Sequence, residues 1–169
     1  VLGKYPLVYV SYQTASIGST FNTVSLLQGP SLAKGSTLTA YETGLKTFLL
    51  DRVNFDAAVF YYEQEDPQTQ VVSLQTGGAV RFENAEGIET LGAEISIIAP
   101  IFSELTNDGL VWTFGMCYLD STYSSYKQAS SFDPALGIYS KTDASGNRVV
   151  QTPKYTLSTG LNQTFQFDS

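Results

Sequence analysis

Apolar and polar side chains alternate one for one along stretch after stretch of this chain, and that period of two constrains its fold more than any other feature. In Val53–Tyr62, Val53, Phe55, Ala57, Val59 and Tyr61 share one parity and Asn54, Asp56 and Ala58 the other. Leu110–Asp120 sets Trp112, Phe114, Met116 and Tyr118 against Thr113, Gly115 and Cys117. Successive side chains of a strand point to opposite faces, so each stretch reads as a strand with one apolar face. No segment offers a comparable helical stripe. The alternation predicts an all-β chain with strands at about 7–14, 39–49, 53–74, 79–98, 110–120 and 155–167. The third and fourth include an added pair that runs to a tip at Gly77-Gly78.

The connections alternate in length. Outer loops are expected at about 15–38, 75–78 and 121–153, against short links at Leu50-Asp51-Arg52 and Ala99–Gly109. Long loops at one end and short turns at the other suit an up-and-down membrane barrel. Parity also sets one register. Leu49 and Val53 both belong to apolar faces, so the turn between them holds an odd number of residues, Leu50-Asp51-Arg52. That register places Lys46 opposite Asp56 and predicts that the two pair.

Composition narrows the function. The net charge of −7 excludes nucleic-acid binding through a broad basic surface. The chain has no His, which removes the commonest general base and metal ligand. Its one thiol, Cys117, forms no disulfide within the chain and completes no Cys/His zinc site. Asp133 and Asp143 match no calcium-loop spacing. No cofactor, metal or catalytic residue is therefore expected, and the chain is not read as an enzyme. Val1–Pro6 carries no basic leader and reads as the middle of a longer chain. No window of about 18 apolar residues exists, which leaves barrel strands untested.

Alternation alone does not tell a soluble sheet from a membrane wall, because either has one apolar face. Three features favour the wall. The strands are longer than the usual 5 or 6 residues. Charged residues are only 15% of the chain, where a water-facing sheet would carry more Lys and Glu. Tyr41, Tyr61, Tyr62, Tyr118, Tyr123 and Tyr155 gather near strand ends, as an interfacial aromatic girdle does.

Several segments, in order, resemble the barrel of TonB-dependent receptors. Tyr41-Glu42-Thr43-Gly44-Leu45-Lys46, then Leu49-Leu50-Asp51, is similar to the family's YELGLK-x-x-LLD strand, with Thr43 where Leu is usual. Val53–Tyr62 follows as the next strand. Phe82–Glu86 and Leu91-Gly92-Ala93-Glu94 resemble its "NAG…I-x-G-x-E-x-E", Gly115–Asp120 its "G-x-G-Y-L-D", and Thr152-Pro153-Lys154-Tyr155 its "x-P-K-W/Y". The resemblance spans nearly the whole chain. It implies that residues 1–169 form about six consecutive strands of a larger, roughly 22-stranded antiparallel barrel. No plug, TonB box or closing strand is recognised among them.

The resemblance further implies a transporter in the outer membrane of a Gram-negative bacterium, taking up a scarce nutrient such as a ferric siderophore. Its partners would be the lipid bilayer, the protein's own plug domain, the TonB complex and the small-molecule nutrient. Glu42, Lys46, Asp56 and Glu94 are expected to face the lumen, and Tyr123, Tyr126, Phe132 and Tyr139 are candidates for a ligand vestibule. Cys117 is expected on the polar side. Two rival readings stay open: a passive porin-like barrel, and a soluble all-β module that binds carbohydrate.

Overall fold

The computed structural model describes residues 6–23, 30–73, 79–102 and 109–165. Among these residues every regular element is a strand. Six form one antiparallel sheet: β1 (Leu7–Ile17), β4 (Ser36–Leu49), β5 (Val53–Glu65), β8 (Gly87–Phe102), β9 (Leu110–Ser125) and β12 (Tyr155–Gln163). Each neighbours the next in chain order. The sheet is open, with β1 and β12 at its edges, as a section of a larger barrel must be.

Three two-stranded ribbons occupy the longer connections: β2 (Thr20–Asn22) with β3 (Ser31–Ala33), β6 (Gln68–Ser73) with β7 (Ala79–Asn84), and β10 (Ala129–Asp133) with β11 (Ile138–Thr142). Strand direction puts all three at one end of the sheet, called here the outer end. At the other end, β4 turns into β5 through Leu50, Asp51 and Arg52. Leu50 and Asp51 have φ of 53° and 58°, and the Arg52 amide donates to the Leu49 carbonyl at 3.2 Å. Leu49 pairs with Val53 and Lys46 with Asp56, so parity set this register correctly.

Two of the expected strands are broken. The stretch 53–74 stops at Glu65 and resumes at Gln68, and 79–98 is interrupted at Ala85-Glu86. Asp66 takes φ 48°, and Pro67 has no amide proton for a ladder. The ribbon β6–β7 therefore bends away from the sheet at a packed corner, where Pro67 and Ala85 are fully buried. Conversely β1, β4, β8 and β9 run further than alternation suggested, which shortens the loops. The sixth strand stops at Gln163, short of the expected 167, and residues 166–167 and the loop tip at 75–78 lie outside the described residues.

Register assigns two faces. One carries Val8, Val10, Leu45, Ala57, Val59, Ile95, Ile97, Phe114, Met116, Leu157 and Leu161. Among the described residues nothing packs over it: Val10 is 82% exposed and Leu157 66%. Toward its outer end lie Tyr12, Tyr41, Tyr61, Tyr118 and Tyr155, with ring centroids 5.4 Å apart for Tyr12–Tyr41 and 5.3 Å for Tyr118–Tyr155. Apolar side chains with a rim of tyrosines are what a lipid-facing wall presents. The other face is polar and close-fitted. The Tyr9 ring lies across Gly44 and the Phe60 ring across Gly92, where an added Cβ would stand 2.5 and 2.2 Å from the ring. Glycine there lets an aromatic ring lie flat on the neighbouring backbone.

Candidate functional site

Two regions carry the candidate residues: the polar face and the outer rim. On the polar face, Glu42, Lys46, Asp56 and Glu94 occupy adjacent rungs. Lys46 faces Asp56, Ala58 faces Glu94, and Glu42 faces Phe60. Lys46, Asp56 and Glu94 line a shallow groove of about 320 Å³ together with Tyr9, Ser96, Cys117, Thr156 and Ser158, and Glu42 reaches it only through its bond to Tyr9. Cys117 sits on this face, opposite Glu94 and Thr156. The expected pairing of Lys46 with Asp56 does not form. The ammonium turns to the Tyr9 ring, 5.9 Å from its centroid, and no ion pair joins it to Asp56 among the described residues. Tyr9 itself donates to Glu42 Oε1 at 2.6 Å. A tyrosine lying over Gly44 from the neighbouring strand thus takes up both charges, a placement that register alone does not reveal. At the inner end this face becomes apolar, with Phe48 and Ile98 on one rung across Asn54.

The rim has a small core of its own. Ala85, Tyr123, Tyr126 and Ala129 are buried together, with Ile88, Ala144 and Val149 packed against them. Tyr123 and Ile88 are opposite one another on the polar side of the sheet, so this core leans over that face. Of the vestibule candidates, Tyr123 and Tyr126 are each 6% exposed, with centroids 5.0 Å apart, and their rings are spent on this packing. Phe132 is 40% exposed on β10. Tyr139 is its register partner, and the Tyr139 side chain lies outside the described residues. Asp133 and Asp143 cap turns: Asp133 Oδ1 accepts from the Ala135 and Leu136 amides, and Asp143 Oδ1 from the Ser145 amide at 2.9 Å. No cluster of three or more His, Cys, Asp or Glu suited to a metal occurs among the described residues.

The residue that organises the rim was missed in the sequence. Glu83, on β7, accepts from the Tyr126 hydroxyl at 2.8 Å and the Ser130 amide at 3.1 Å through Oε1. Its Oε2 accepts from Lys141 Nζ at 2.9 Å, the Ser130 hydroxyl at 3.0 Å and Arg81 at 3.4 Å. Burial alone would push this carboxyl up, but the bonds from Lys141, Tyr126 and Ser130 and the Lys141 charge outweigh it and hold Glu83 below the ordinary range. The Tyr126 hydroxyl is pushed up to about 12, by burial first, with the Glu83 carboxylate adding to the shift and a Thr69 bond opposing it. Glu83 stands within the Phe82–Glu86 motif, but nothing in the sequence marks its role, because Tyr126, Ser130 and Lys141 lie 43 to 58 residues away.

The first ribbon is stapled to the second by asparagine side chains. Asn22 exchanges two 2.8 Å hydrogen bonds with the Phe82 backbone, and Asn84 does the same with Lys34 at 2.8 and 3.1 Å.

With this geometry in place, comparison with known proteins is informative. Residues 7–168 match the family described as TonB dependent receptor-like, beta-barrel. No curated protein matches significantly. A solved structure titled "Structure of the RagAB peptide importer in the 'closed-closed' state" superposes with a TM-score of 0.53 at 13% identity. The match covers 80% of this chain and 17% of that one, so the chain spans about a sixth of that importer's length. At this identity the likeness is one of fold.

Proposed function

This chain belongs to the TonB-dependent receptor β-barrel family of the Gram-negative outer membrane, and from that we propose that the protein it forms part of imports a scarce nutrient. The observation that carries this reading is the uncovered apolar face with its tyrosine rim, backed by a polar face that the outer ribbons overhang. In a soluble carbohydrate-binding module that apolar face would lie against a second sheet. These residues then supply wall and outer loops, while the work of transport is binding, containment and passage, with no covalent step.

On this reading Glu42, Lys46, Asp56 and Glu94 line the lumen. Phe48 and Ile98 offer an apolar inner end for the protein's own plug domain, which the TonB complex would displace. A ferric siderophore is the cargo we propose. A peptide is the second reading, prompted by the peptide importer of similar fold. Phe132 is the vestibule candidate whose side chain stays exposed.

The test is whole-cell uptake by a strain lacking the receptor and by the same strain complemented with it. Accumulation of labelled ferric siderophore that needs both the receptor and the proton gradient is the expected result. Receptor-dependent accumulation of peptides alone would transfer the reading to peptide import. Flux that persists when a protonophore collapses the gradient would show a passive porin and overturn both.

A further inference from the structure

We propose that Glu83 locks the second and third outer ribbons into one rigid brow over the polar face, so that β6–β7 and β10–β11 hold or move together. The argument is one of satisfied bonding. A carboxylate has about four acceptor sites, and those of Glu83 are filled from both ribbons: Arg81 from its own, and Ser130, Lys141 and Tyr126 from the third connection. The ammonium of Lys141 has three protons, and all three are engaged, by Glu83, the Gln128 carbonyl and the Ser130 hydroxyl. Neither charge is left over for cargo. A half-buried ion pair with every site filled fixes one geometry and tolerates few others.

Position gives the lock its consequence. The brow's core rests on Tyr123 and Ile88, on the side of the sheet that carries Glu42 and Glu94, so the brow overhangs the approach to that face. Glu83 acts here through Lys141 and Tyr126, which makes it a positioning residue for capture. The coupling stands on geometry alone, whereas its part in capture rests on the transport reading above.

The experiment is amide hydrogen exchange on the full receptor in detergent, comparing the native protein with Glu83→Gln and Asn84→Ala. Resistance to unfolding without heating confirms that each barrel is intact. An amide is nearly the same size as the carboxylate, but it lacks the charge and turns a donor toward Lys141 or Ser130. Glu83→Gln should speed exchange in 79–84 and 129–142 together, by about tenfold or more. Asn84→Ala should loosen 31–34 and leave 129–142 unchanged. In the uptake assay, Glu83→Gln should raise KM and leave kcat nearly unaltered. Faster exchange confined to 129–142, or none, would overturn the coupling. A receptor that imports neither siderophore nor peptide would defeat the transport reading while the exchange result still decides the lock.

Discussion

The wall and the rim of this molecule are stabilised in opposite ways. The six-stranded wall has almost no core: its side chains stand to either face, and many of its large apolar residues are exposed. The rim, built from three short ribbons, buries Ala33, Ala85, Tyr123, Tyr126 and Ala129 and closes a charged network around Glu83. The wall therefore depends on lipid and on neighbouring strands to cover it, while the rim supplies its own cover. The lipid-facing parity of such a wall needs only to stay apolar, but the rim cannot lose one partner without stranding another.

The largest expected effect sets the two faces of the wall against each other. Ile95→Arg, on the apolar face, should destabilise the barrel in bilayers by roughly 2–4 kcal/mol. Ser96→Arg, one residue on and on the polar face, should cost little. Unfolding by denaturant in lipid vesicles measures both. Equal costs would erase the distinction between the faces.

A second substitution probes how tightly the polar face is fitted. A Cβ at Gly92 would meet the buried Phe60 ring, which is itself stacked on Tyr62 at 4.7 Å. Gly92→Ala should cost about 1–3 kcal/mol, with part recovered by Phe60→Leu in the same chain. No recovery would mean that the ring is not the obstacle.

Acid should separate rim from wall. The carboxyl of Glu83 titrates below its unfolded value, so its stabilisation is present above about pH 4.3 and is lost as pH falls through the lower folded value. Exchange at the amides of 79–84 and 129–142 should rise over that acidic window while the central amides of β5 and β8 stay protected. Simultaneous loss of protection in both regions would tie the rim's stability to the wall's.

The smallest effect is expected at Asp120 and Lys154, 3.8 Å apart and both 40% exposed beside the tyrosine rim. Asp120→Asn should change stability by at most about 1 kcal/mol, and less in high salt. A larger cost would mean that this pair does more than meet solvent.

The same contrast explains what the sequence revealed. The wall was legible because period two is local. Parity alone placed Leu49 opposite Val53, set the turn at Leu50-Asp51-Arg52 and brought Lys46 opposite Asp56. It did not foresee that Tyr9 would draw Lys46 aside, because that depends on which neighbouring strand lays a ring on Gly44. The break after Glu65 was missed, although Pro67, which has no amide proton to give a ladder, stood as a local signal for it. The rim was not legible. Tyr126 stood out as a loop aromatic, yet its place in a core beside Ala85 comes from chain segments meeting across 41 residues of sequence. Glu83 lay inside the Phe82–Glu86 motif with no role attached to it, and only the meeting of two ribbons makes it a hub.

The most direct test of the account is which face meets lipid. Single cysteines would be placed at Val59, Ile95 and Ser96 and at Glu94, in the full receptor carrying Cys117→Ser, within outer membranes. Each would be challenged with a water-soluble thiol reagent and, after labelling with a fluorophore, with a lipid-dissolved quencher. The account predicts that positions 59 and 95 resist the reagent and are quenched from the lipid, while 94 and 96 show the reverse. Water access at 59 and 95 equal to that at 94 and 96 would contradict it and remove the bilayer from this face.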